Sequence, residues 1–93
     1  MIKVYEDWYV TVEYNPLNYV VRRGQGTTTA GKDGKPRLDD RPEAFCGSLR
    51  QAVKFIRDKV TAERLAGASR SLGEALRTLS EIDAEFERII GED

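Results

Sequence analysis

The 93-residue chain has no histidine, a single cysteine and only three prolines, and no apolar run in it nears the roughly 18 residues of a membrane span. Without histidine there is no imidazole general acid or base, no imidazole metal ligand, and no Ser-His or Cys-His nucleophile. The expectation is a protein that is not an enzyme, with no metal and no cofactor. Cys46 alone cannot form an internal disulfide and is compatible with a reducing compartment. It lies in "AFCGSL", between a strand end and a helix cap, and reads as a small packed residue rather than a nucleophile. The N-terminus "MIKVYEDWYV" carries acids where a signal peptide carries bases, so no membrane association and a cytoplasmic location are expected.

One stretch imitates a phosphate-binding loop. "GTTTAGKD", residues 26–33, is one letter short of G-x-x-x-x-G-K-[ST] and follows the strand-like "YVVRR". The chemistry fails at position 33, where Asp33 offers no hydroxyl for Mg²⁺ and adds a negative charge beside the phosphate. Gly34, Lys35 and Pro36 then cannot open the helix that such a loop needs. The segment reads instead as a Gly/Thr/Lys hairpin tip. Asp39 and Asp40, between Arg37 and Arg41, read as a solvated turn rather than a Mg²⁺ site.

What is present divides the chain in two. In "WYVTVEY", Trp8, Val10, Val12 and Tyr14 alternate with Tyr9, Thr11 and Glu13, the period of a half-buried strand. "NPLN" supplies a turn and "YVVRR" resumes the strand pattern. A four-residue loop from Asn15 to Asn18 pairs Tyr14 with Tyr19 and puts Tyr19 and Val21 on the Trp8 face, with Val20 and Arg22 facing away. Residues 24–42 read as a projecting hairpin or loop, with "RLDDRPEAF" returning as a third, irregular strand. After Ser48 the period becomes helical. Ser48 with Gln51, and Ser71 with Glu74, form two capping boxes. Leu49, Ala52, Val53, Ile56 and Val60 mark the buried face of the first helix, and "LAGAS" breaks the chain at Gly67. Leu72, Ala75, Leu76, Leu79, Ile82, Phe86, Ile89 and Ile90 mark that of the second. The expected fold is one α+β domain over 1–93: a small N-terminal antiparallel sheet of two or three strands, with two C-terminal helices packed on one face, ββ(β)αα.

Charge is uneven although the total is −1. Residues 22–41 hold six Lys and Arg against three Asp, while 81–93 hold six acids and one Arg. The basic flank expected to meet a partner is Arg22, Arg23, Lys32, Lys35, Arg37, Arg50, Lys54 and Arg57. The second helix spans about 28 Å at 1.5 Å per residue, longer than a six-residue strand of about 20 Å. Its last turn, Phe86, Ile89 and Ile90, is therefore either the surface for a homodimer or a partner helix or is covered within the chain by the first helix with Ile2 and Val4.

The order "YVTVEYNPLNYVVRR", a Lys/Gly-rich "GKDGKPRLDD", "FCGSLRQAVKFI" and the capped "SLGEALRTLSEIDAEF" resembles small accessory proteins encoded by bacteriophages and prophages. Members with assigned roles bind and block host machinery, CRISPR nucleases included, or assist phage DNA metabolism. The resemblance implies a non-enzymatic inhibitor acting in the cytoplasm of a bacterial host, on a host protein or protein–nucleic acid complex. The alternative is a single-stranded nucleic-acid-binding accessory protein that contacts nucleic acid directly. Trp8, Tyr9 or Tyr5 would then stack on bases, and Arg22, Arg23 and Lys32 would contact phosphates.

Overall fold

The computed structural model describes residues 1–14, 16–66 and 71–91. Among these described residues six strands precede two helices: β1 (Ile2–Tyr5), β2 (Trp8–Glu13), β3 (Asn18–Arg23), β4 (Thr28–Ala30), β5 (Pro36–Leu38), β6 (Pro42–Cys46), α1 (Leu49–Leu65) and α2 (Leu72–Gly91). The chain falls into two compact units, Met1–Val53 and Lys54–Asp93, with the boundary inside α1. The class is α+β, as the change of period indicates. The break expected at Gly67 lies outside the described residues.

The sheet has four antiparallel strands in the order β1-β2-β3-β6, where the sequence reading gives two or three. The additional strand is β1. It is joined to β2 by the two-residue turn Glu6–Asp7, in which Glu6 takes a φ of 50°. Two-residue hairpins require positive φ, and Asn or Gly normally supplies it. Glu6 gives the sequence no such signal.

β2 pairs with β3 through Glu13↔Asn18, Val12↔Tyr19 and Val10↔Val21, so the register is two residues short of the Tyr14↔Tyr19 pairing. A shift of two preserves the faces, and Trp8, Val10, Val21 and Tyr19 do share one side. Burial, by contrast, departs from strict alternation. Trp8, Tyr9 and Val10 are all buried, while Val12 and Tyr14 are exposed. One end of the sheet is thus covered on both faces, and the end at the β2–β3 turn protrudes into solvent. Val20 and Val21, neighbours on opposite faces of β3, are both fully buried for the same reason.

β6 returns beside β3 through Val21↔Ala44 and Val20↔Phe45, with a bulge that leaves Glu43 as the extra residue. β1 carries a bulge of its own between Lys3 and Tyr5. Both edge strands are thus irregular, a feature that discourages edge-to-edge pairing.

Both helices start as the caps predict. Ser48 Oγ accepts the Gln51 N–H at 3.2 Å, and Gln51 Oε1 accepts the Gly47 N–H at 3.1 Å. Ser71 Oγ accepts the Glu74 N–H at 3.2 Å. In α1, Ala52, Ile56 and Val60 are buried, the i, i+4, i+8 line expected. In α2 only Ile82 and Phe86 are buried, and Leu72, Leu76 and Ile90 are exposed.

Candidate binding surface

β4 and β5 form a separate two-stranded hairpin between β3 and β6, paired Thr28↔Leu38, Thr29↔Arg37 and Ala30↔Pro36. The phosphate-loop imitation "GTTTAGKD" is therefore one strand and the start of a turn, with no helix after it. The turn is closed by backbone: the Gly31 N–H donates to the Lys35 carbonyl at 2.8 Å, and the Gly34 N–H to the Gly31 carbonyl at 3.0 Å. Gly34, at φ 78°, supplies the left-handed residue. The Asp33 carboxylate accepts the Lys35 N–H at 3.1 Å, so its role is to stiffen the tip.

The base of the hairpin is held by the two adjacent aspartates. Asp39 accepts hydroxyl hydrogens from Thr29 at 2.7 Å and Thr27 at 3.1 Å, and its N–H donates to the Thr27 carbonyl at 2.9 Å. Asp40 Oδ2 accepts both the buried Tyr9 hydroxyl at 2.6 Å and the Gly26 N–H at 2.9 Å. Its carbonyl accepts Arg22 Nη1 at 2.6 Å. Asp40 thus clamps the hairpin to the sheet, whereas exposed Asp39 bonds only within the hairpin and does stand in a solvated turn. No group of three or more His, Cys, Asp or Glu among the described residues is placed to hold a metal ion.

The clamp shifts both of its acids. Burial, then the hydrogen bond to Asp40 and the charge of that carboxylate, push the Tyr9 phenol from 10.0 up to about 12. The Tyr9 hydroxyl first, then the Gly26 N–H, hold Asp40 below the usual carboxylate range.

The eight cations of the expected basic flank do not form one group. Arg22 and Arg23 point to opposite faces of the sheet and are engaged there. Arg22 bonds the Asp40 carbonyl and lies 3.6 Å from Glu13. Arg23 stands 4.9 Å above the Trp8 ring and 3.2 Å from Asp7, a cation–π contact closed by a carboxylate. These two brace the sheet, Arg22 with little of its side chain exposed and Arg23 with about a third of it in solvent. Lys32, Lys35 and Arg37 are exposed together on the β4–β5 hairpin. Arg50, Lys54 and Arg57 do share one side of α1, although Arg57 lies 3.7 Å from Asp58.

Two further expectations change. Trp8 and Tyr9 are each only 2% exposed, so neither can stack on a base. Phe86, at 1% exposure, is already buried within the chain and cannot serve as a free docking residue, while Ile89 is half-buried and Ile90 exposed. Cys46 is a free, half-buried thiol opposite Tyr19. Beside the hairpin base a cleft of about 300 Å³ is lined by Lys3, Glu6, Asp7, Trp8, Tyr9 and Gln25, among others.

No protein-family model, curated protein or solved structure matches the chain. No helix among the described residues is long and apolar enough to cross a membrane.

Proposed function

We propose that this chain is a non-enzymatic binding protein whose working surface is the β4–β5 hairpin. Lys32, Lys35 and Arg37 would set their charges against the phosphates or acidic groups of a host protein–nucleic acid complex. In this reading, which follows the resemblance to phage accessory proteins, the protein inhibits a bacterial defence nuclease such as a CRISPR complex.

The observation that carries the reading is the mismatch between the hairpin's exposure and its anchoring. None of its residues belongs to the buried core, yet a buried phenol and two carboxylates hold its base. Ordering a segment costs about 1–2 kcal/mol per residue in backbone entropy, and here burial does little to offset it. A hairpin kept in shape by polar anchors presents its cations in a fixed geometry, which lowers the entropy lost on binding. The alternative, binding of single-stranded nucleic acid by aromatic stacking, is weakened by the burial of Trp8 and Tyr9.

The test is capture from bacterial lysate, with and without nuclease, using the wild type and a Lys32→Ala, Lys35→Ala, Arg37→Ala triple variant. Specific proteins retained after nuclease treatment by the wild type and lost by the triple variant support the reading. Capture abolished by nuclease transfers the assignment to direct nucleic-acid binding. Equal capture by both chains removes the hairpin from the interface.

A further inference from the structure

Resting on the reading of the β4–β5 hairpin as the working surface, we infer that its ligand is the phosphate backbone of a nucleic-acid duplex, held by Lys35 and Arg37 from one face of the ribbon, with Gly31 as the residue that positions Arg37. The register fixes that face. Thr29 pairs with Arg37, and the bonds from the Gly31 N–H to the Lys35 carbonyl and from the Asp39 N–H to the Thr27 carbonyl carry the same pairing one step beyond each end. Thr27, Thr29, Gly31, Lys35, Arg37 and Asp39 therefore share one side of the ribbon, and Thr28, Ala30, Pro36 and Leu38 the other. Lys35 and Arg37, two residues apart on the strand, stand about 7 Å apart at the backbone, close to the spacing of successive phosphates along one strand of a duplex.

Arg37 is held in place by a missing side chain. A Cβ on Gly31 would lie 2.9 Å from Arg37 Nε, 3.2 Å from Arg37 Cδ and 3.1 Å from Asp33 Oδ1, so the arginine stem occupies the room that a methyl group would need. Gly31 is accordingly half-buried in a run, Thr27 to Arg37, that is otherwise exposed. Its backbone is not left-handed, so what this glycine supplies is space. A guanidinium laid against the backbone keeps its planar fork pre-organised, and that fork is what grips a phosphate through two parallel bonds. The nearby acids are engaged elsewhere: Asp39 takes the Thr27 and Thr29 hydroxyls on its two oxygens, and Asp33 accepts the Lys35 N–H. Among the described residues neither forms an ion pair with Lys35 or Arg37.

The rest of the hairpin selects among the ligands that carry negative charge. Residues 24–42 contain no aromatic side chain, and Leu38, their one large apolar residue, is itself half-buried. A protein interface centres on aromatic and large apolar anchors, and single-strand binding on stacked bases, so neither finds its main contact here. A two-stranded ribbon, by contrast, is slim enough to enter the major groove of a duplex. Because the Thr27 and Thr29 hydroxyls are committed to Asp39, the face offers cations and little that reads a base, so binding is independent of sequence.

The test is fluorescence anisotropy at low salt, with the full chain titrated onto a labelled DNA duplex, each of its separate strands, and duplex RNA of the same sequence. The wild type should bind at least one of the duplexes with a dissociation constant of about 10–100 µM, several-fold tighter than the strands and unchanged when the sequence is scrambled. The logarithm of affinity should fall with that of salt at a slope of about −2, and Arg37→Ala should bring the slope to about −1. Gly31→Ala should weaken binding about fivefold in the wild type and cost nothing in an Arg37→Ala background, the signature of a residue that acts through Arg37. Arg37→Lys should lose as much as Gly31→Ala with no change of slope. Strands that bind as tightly as the duplexes, or duplexes left unbound at millimolar protein, would overturn the duplex assignment. If lysate capture that survives nuclease is then still lost in the triple alanine variant, the hairpin reading stands with an acidic protein as its ligand. Duplex binding that the triple variant leaves intact would overturn both. An equal cost of Gly31→Ala in the two backgrounds would overturn its positioning role. Should Gly31→Ala disrupt the hairpin, Arg37→Lys still decides, since wild-type affinity in that variant would overturn the bidentate grip.

Discussion

The four-stranded sheet and the β4–β5 hairpin are built of the same secondary structure and held by different forces. In the sheet, Trp8, Tyr9, Val10, Val20 and Val21 are buried, and the hydrophobic effect supplies the stabilisation. In the hairpin the described residues from Thr27 to Arg37 are exposed apart from half-buried Gly31, and order comes from Asp39, Asp40 and backbone bonds. Apolar burial is indifferent to pH and tolerant of surface change. Carboxylate anchors are sensitive to both, so the two regions should respond separately when each kind of force is removed.

The largest effect should come from the sheet. Trp8→Ala empties a buried site and also removes the ring beneath Arg23, and it should cost about 3–5 kcal/mol in urea unfolding. A cost under about 1 kcal/mol would mean that Trp8 contributes little to the core of the sheet.

Gly24→Ala tests the joint between the two regions. Gly24 sits at φ 146°, its N–H donates to the Asp7 carbonyl at 2.9 Å, and a methyl group there would fall on the Asp40 carboxylate. Strain in that backbone region is worth about 1–3 kcal/mol, and displacement of Asp40 adds to it. Hydrogen exchange should show the hairpin amides losing protection before those of β2 and β3. Uniform loss across both regions would show that sheet and hairpin form one cooperative unit.

The pH dependence of the Tyr9–Asp40 clamp should be smaller, and its sign follows from the two shifts. Asp40 is depressed in the folded chain, so its contribution is present above the ordinary carboxylate range and is lost as pH falls through its folded value. Tyr9 is raised, so its contribution is present below pH 10 and is lost as pH climbs toward 12. Tyr9→Phe should lower the melting temperature near pH 7 by roughly 5 °C and flatten the loss above pH 10. Parallel curves for wild type and variant across that alkaline range would show that the clamp does not stabilise the fold.

The sequence carries unequal traces of these two regions. α1 and α2 begin where Ser48 and Ser71 say they do, because a cap is a local signal read over three residues. β2 and β3 are equally legible, and even the register error preserves their faces. β1 was hidden by a turn on Glu6 and a bulge, neither of which leaves the usual Gly or Asn. The cations of the hairpin are plain in "GKDGKPR", but its anchor is not. Tyr9 and Asp40 are 31 residues apart, and nothing around either announces the other. For the same reason Arg22 and Arg23 read as free basic residues until the pairing of β2 with β3 brings Glu13, Asp7 and Trp8 beside them.

The smallest effect on stability should belong to the residues proposed for function. Lys32, Lys35 and Arg37 make no salt bridge among the described residues, and the bonds that hold their hairpin come from Thr27, Thr29, Asp33, Asp39, Asp40 and the backbone. Arg37 lies across Gly31, so its removal loses some side-chain packing and no clamp bond. Surface changes of this kind fall within about 0.5 kcal/mol, so the triple alanine variant should unfold at the wild-type urea midpoint. Removing three of five charges on residues 27–39 also leaves Asp33 and Asp39 alone, turning a locally basic hairpin acidic. Any partner that presents phosphates should then be repelled, and its binding should lose its dependence on salt along with its affinity. A triple variant that unfolds early would place these side chains in the scaffold. One that folds as the wild type does and binds nothing would separate the hairpin's shape, set by its aspartates, from its function, set by its cations.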